Sequence, residues 1–139
     1  MNNVLEKVFI PFARFAIFLI YFWFGLLKII EVSPASPLVL SLMDRTMPFM
    51  EPASFLIYFG VFEVIVGILF LIPKLTRIAC LILLVHMVTT IMPLFMLAET
   101  SWSGTLIPTL EGQYIIKNIL IIALAIGIYT DRYSKKNLI

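Results

Sequence analysis

The sequence predicts an all-α membrane protein, a bundle of four transmembrane helices with both termini on the cytoplasmic side. Three observations predict it. Of the 139 residues, 62% are hydrophobic and only 13% charged, against the roughly 25% charged residues with which a soluble domain covers itself; the mean hydropathy is +1.09. The apolar residues gather into four runs that meet or approach the roughly 20 residues a helix needs to cross ~30 Å of hydrocarbon. Lysine and arginine collect on one side of those runs, the asymmetry that sets orientation in a membrane.

The first run, about 8–30, follows Lys7 but is longer than a signal-peptide core and has no well-placed small-x-small cleavage site, so it reads as a retained span. Pro34, Pro37, Pro48 and Pro52 mark a long first connection. The second run, about 53–72, meets the third, about 76–97, across a tight turn at Pro73-Lys74, and Ser101 to Gly112 form the third connection. The stretch from Asn118 to Thr130 is uncharged but too short alone, so the last span, about 114–130, takes in Lys117, whose aliphatic stem can snorkel to an interface. Residues 1–139 thus make a single domain. Lys7, Arg14, Lys74, Arg77, Arg132, Lys135 and Lys136 fall on one side, assigned to the cytoplasm; Arg14 is read as part of this topology signal alone. The opposite loops hold Arg45 but also Glu31, Asp44, Glu51, Glu99 and Glu111. Trp102, Tyr114 and Tyr129 fit interfacial belts.

Composition also excludes functions. The net charge of +2 is small and scattered, which sets nucleic-acid binding aside. Cys80 is the sole cysteine, so the chain alone has neither an internal disulfide nor a dithiol pair. A single histidine removes bis-histidine haem ligation and the usual His/Cys zinc sets. Met43, Met47 and Met50, with Met92 and Met96, follow helical spacing and are read as adaptable packing; no metal site is assigned.

An ionisable side chain deep in a span is costly unless paired, neutral or wet, so each one is a functional candidate. Glu63 and His86 lie equally far from the Pro73-Lys74-Leu75 turn on antiparallel helices, and at 1.5 Å per residue both reach about mid-bilayer. Gly60, Glu63 and Gly67 follow i, i+3, i+7 spacing, which places the carboxyl on a face that admits a close neighbour. His86, Thr89 and Thr90 share a face of the third span, their hydroxyls free to bond across helices or back to their own carbonyls. Glu63 and His86 are therefore expected to interact directly or through water, sharing a proton or holding a ligand head group, or else to form a structural hydrogen bond. Lys28 and Lys117, each near the outer end of its span, form a second set: a cationic site for an anion or a quinone carbonyl, or snorkelling side chains. The dense aromatics of the first span, Phe12, Phe15, Phe18, Tyr21, Phe22, Trp23 and Phe24, suit a quinone pocket or lipid-facing packing equally.

Gly25-Leu26-Leu27-Lys28, Gly60-x-x-Glu63-x-x-x-Gly67 and Glu111-Gly112-Gln113-Tyr114-Ile115-Ile116-Lys117-Asn118 resemble, in order and placement, the DoxX-like superfamily. More narrowly they look like its branch of small membrane proteins that includes the reactive-chlorine resistance inner-membrane protein. The resemblance runs from about Arg14 to Arg132. It implies a four-helix membrane fold, a bacterial inner-membrane location, and importance for Lys28, Glu63 and Lys117. Relatives include a subunit of a thiosulfate:quinone oxidoreductase and proteins of oxidative-stress defence. Many DoxX-like proteins carry an acidic residue near the start of the last span where this chain has Lys117-Asn118, a departure that favours the narrower branch. The expectation is an accessory or ligand-binding component in redox or oxidative-stress physiology, with a quinone or other small hydrophobic ligand at the Glu63/His86 seam. Alternatives are a quinone-linked oxidoreductase or one of its subunits, a small oligomeric transporter or channel, and a structural or assembly partner. The expected partners are the lipid bilayer, other membrane or redox proteins, and further copies of the chain.

Overall fold

The computed structural model describes residues 3–134; Lys135 and Lys136, counted above with the basic side, lie outside the described residues. Four segments are long and apolar enough to cross a membrane: Lys7–Ile29, Pro52–Leu71, Pro73–Met96 and Leu110–Tyr133. By helix composition this is a multi-pass membrane protein, and the spans match the sequence expectation to within a few residues. The fourth starts at Leu110 rather than near Tyr114.

Helix α1 (Asn3–Ile29) ends in a Schellman motif. Glu31 N–H donates to Lys28 O and Val32 N–H to Leu27 O, with Glu31 at φ 60°, a left-handed position that glycine usually fills. A short helix, α2 (Ser36–Thr46), crosses the first connection. Helix α3 (Pro52–Leu71) starts with proline in its first turn, and the Glu51 carboxylate accepts the Ala53 and Ser54 N–H groups that the helix leaves unsatisfied. One turn of 3₁₀ helix, Pro73–Leu75, leads into α4 (Thr76–Ile91). The chain then bends through α5 (Pro93–Met96) and α6 (Ala98–Ser101) into β1 (Trp102–Gly104) and β2 (Ile107–Pro108). The two strands form a small antiparallel hairpin pairing Trp102 with Pro108 and Gly104 with Ile107, where the sequence suggested only a loop. The fourth span is α7 (Leu110–Lys117) followed by α8 (Ile119–Ser134), divided at Asn118. There the ladder tightens to three-residue steps, Asn118 N–H to Ile115 O and Ile121 N–H to Asn118 O.

The spanning helices form a closed ring in the order α1, α3, α4, α8, and α1 packs on α3 far more extensively than any other pair. Glycine makes that contact possible: a Cβ added at Gly25 would lie 2.6 Å from the Gly60 carbonyl oxygen, and one at Gly60 equally close to the Gly25 oxygen. Gly67 meets the backbone at Phe18 and Phe22 in the same way. Ala13, Ile17, Val66, Phe70, Ala79, Leu83, Ala125 and Ile128 fill the core. Outside, Phe12, Trp23, Ile65, Val85 and Leu120 are exposed, whereas Arg14, Lys28, Glu63, Thr76 and His86 are buried. Large apolar side chains facing outward, with ionisable ones turned into the bundle, are what hydrocarbon as solvent demands.

Candidate functional site

The site is a face-to-face match of two helix stripes. On α1, Tyr21, Gly25 and Lys28 follow i, i+4, i+7 spacing; on α3, Gly60, Glu63 and Gly67 follow i, i+3, i+7. The glycines bring the backbones together, and the polar side chains lie between them. Every Cα–Cβ bond in a helix tilts toward that helix's N-terminus. Because α1 and α3 run antiparallel, Lys28 leans inward along the bundle and Glu63 outward, so the two converge. Lys28 Nζ donates to Glu63 Oε2 at 2.6 Å, with side chains only 5% and 10% exposed.

His86 completes the array from α4. Its Nδ1 lies 3.0 Å from the Tyr21 hydroxyl, and its Nε2 faces Glu63 Oε1 at 3.8 Å, longer than a hydrogen bond. Among the described residues that buried Nε2 has no hydrogen-bond partner. The geometry selects a tautomer. When the Tyr21 phenol donates to Nδ1, Nε2 carries the proton and presents N–H to a carboxylate; the reverse arrangement would aim a lone pair at that carboxylate. The phenylalanine rings at 59 and 62 flank the imidazole, with centroids 5.3 and 5.4 Å away, and Lys28 Nζ sits 5.5 Å from the Phe59 centroid. The result is a continuous row, Tyr21, His86, Glu63, Lys28, held by three helices.

No protein-family model, curated protein or solved structure matches this chain.

The structure thus brings Glu63 and His86 to one place but gives Glu63 a different principal partner. Lys28 and Lys117 do not form a set. Lys28 belongs to the central row, while Lys117 is exposed at the end of α7 with its Nζ 5.1 Å from the Tyr114 ring centroid. The Thr89 and Thr90 hydroxyls turn back onto the His86 carbonyl oxygen at 2.7 and 3.0 Å, so of the three residues expected on that face only His86 enters the row. Back-bonding of this kind loosens a helix locally, and α4 ends one residue after Thr90.

Two residues escaped sequence reasoning. In the sequence Tyr21 stands among the aromatics of the first span, and its shared face with Gly25 and Lys28 is the signal that sets it apart. Arg14 is more than a topology marker: it is buried, donating from Nη1 to Phe70 O at 3.1 Å and from Nη2 to Thr76 Oγ1 at 2.7 Å. It thereby ties α1 to the end of α3 and the start of α4, satisfying a carbonyl left open at a helix C-terminus.

Proposed function

We propose that this chain is a bacterial inner-membrane protein of redox or oxidative-stress physiology, as its resemblance to the DoxX-like superfamily implies, serving as an accessory or ligand-binding component. Both termini lie in the cytoplasm, because the exposed Lys7, Lys74, Arg77 and Arg132 all belong to one end of the bundle. The row of Tyr21, His86, Glu63 and Lys28 is its working centre and takes the head group of a quinone.

The observation that carries the reading is the buried His86 Nε2, a donor facing the row with its hydrogen-bonding capacity unspent. A buried polar group without a partner costs about 1–3 kcal/mol, and a ligand carbonyl would recover that cost. Lys28 supplies a second donor, and Phe59 and Phe62 supply flat apolar faces beside it. A bound quinone would supply two-electron, two-proton chemistry. Tyr21 fixes the His86 tautomer so that Nε2–H is offered, and the Glu63 carboxylate holds Lys28 in place.

The test is extraction of lipid from protein purified in mild detergent, followed by quantification of quinone. Near-stoichiometric quinone in wild type, falling several-fold in His86→Ala with the helical content unchanged, is expected. Wild-type protein no richer in quinone than an unrelated four-helix membrane protein prepared alongside it would end this reading.

A further inference from the structure

A second feature lies at the opposite end of the bundle from the Lys28 side chain and is independent of the central row. A cavity of about 390 Å³ opens where the start of the first span, the end of the second and the end of the fourth meet. Its wall contains Arg14, Arg132 and Asp131, together with Pro11, Leu71 and Pro73.

We infer that this cavity binds the head group of an anionic phospholipid.

Three observations carry it. First, the lining is amphipathic at the level where a lipid is amphipathic. Leu71 is the last residue of α3, and Asp131 and Arg132 lie within the last three residues of the Leu110–Tyr133 span, so the cavity straddles the boundary between hydrocarbon and head groups. Second, its charge is biased: two guanidinium groups and one carboxylate leave one positive charge over, the complement of a phosphodiester monoanion. Arg14 is held rigidly by Phe70 O and Thr76 Oγ1, so the orientation of its planar fork is set before any ligand arrives. Third, the surroundings favour anions, since the exposed Lys7, Lys74 and Arg77 belong to the same end. Basic pockets between membrane helices are the recurrent binding places of acidic lipid head groups. Pro11, inside α1, lines the cavity and has no N–H to donate, so the carbonyl one turn before it lacks its usual helical partner.

The experiment is native mass spectrometry of delipidated full-length protein titrated separately with phosphatidylglycerol and phosphatidylcholine. The expected result is at least a fivefold preference for phosphatidylglycerol. Arg132→Gln, on an exposed side chain that leaves the core intact, should bring that preference close to one, while Lys74→Gln, outside the cavity, should retain most of it. Equal binding of the two lipids would overturn the inference, as would full selectivity in Arg132→Gln. Displacement of phosphatidylglycerol by millimolar inorganic phosphate would also overturn it, by marking a soluble-anion site instead.

Discussion

Removing one member of the Lys28–Glu63 pair should cost far more than removing both. At 2.6 Å and an effective dielectric of about 20, the Coulomb attraction is about 6 kcal/mol. Burying the two ions costs several kcal/mol each, so the intact pair is close to neutral for stability. The asymmetry appears on mutation. Lys28→Met leaves a buried carboxylate, and Glu63→Leu leaves a buried ammonium; each should lose about 3–5 kcal/mol. The double variant fills similar volume with apolar atoms, leaves His86 its Tyr21 partner, and should fall within about 1 kcal/mol of wild type or above it. The coupling energy between the two positions is then at least about 5 kcal/mol. Reversible unfolding by sodium dodecyl sulfate in mixed micelles, followed by far-UV circular dichroism, measures all four proteins. Additive single effects, with coupling near zero, would refute the reasoning, because they would mean that the two charges are hydrated separately rather than enclosed together.

Three further outcomes follow from the same structure. Gly60→Ala places a methyl group 2.6 Å from the Gly25 carbonyl oxygen and should cost about 2–3 kcal/mol by overpacking, whereas Gly127→Ala, with nothing within 4 Å, should gain up to about 1 kcal/mol from helix propensity; the same unfolding assay ranks them, and equal effects would show that α1 and α3 are not in backbone contact. Glu31→Gly should stabilise by about 1 kcal/mol, since the φ of 60° carries a cost for any residue with a Cβ; a loss of stability would mean that the Glu31 side chain makes a contact worth more than the strain. Hydrogen bonds from Ser54, side chain and backbone, and from the Ala53 N–H hold the Glu51 carboxyl below its ordinary range. With the folded value depressed, the cap's contribution is complete above the unfolded value and is lost as pH falls through the folded one. Amide-exchange protection at Ala53 and Ser54 should therefore drop at acidic pH in wild type but not in Glu51→Gln, and parallel profiles in the two proteins would count against this cap.

The spans are legible in the sequence because hydrocarbon thickness dictates the length of an apolar run, and little else produces four such runs in 139 residues. The meeting of Glu63 and His86 is legible too, because α3 and α4 are joined by a turn so short that counting back from it equates depth along both arms. Counting does not yield the direction in which each side chain leans. Glu63 tilts outward and His86 inward, so residues at one height stand 3.8 Å apart at their closest polar atoms, and each finds a nearer partner on α1. The Lys28 contact was hidden for a different reason. The glycine face of α3 announces that some helix approaches, but a connection running from Ile30 to Glu51 is long enough to leave any neighbour open. The burial of Arg14 is not legible because a basic residue near a span end satisfies the orientation rule whether it faces water or lines the core. The hairpin between β1 and β2 was missed because Trp102–Pro108 is too brief to show alternation, and its turn uses Leu106 at φ 58° in place of the usual glycine or asparagine.

The dominance of the α1–α3 contact has a bearing on how the chain enters its membrane. An isolated lysine or carboxylate at the middle of a lone helix opposes insertion by about 2.5–3.5 kcal/mol. Lys28, second from the end of α1, avoids that penalty by reaching for the head groups as long as its helix is alone. Glu63 emerges next, and it arrives deep within α3 with no such escape. Its cation is already waiting on the preceding helix, across a glycine seam that needs no third element to close. Synthesis order and charge order therefore agree: the first two spans can enter lipid as a self-neutralised hairpin, and α4 then delivers its imidazole to a finished cradle.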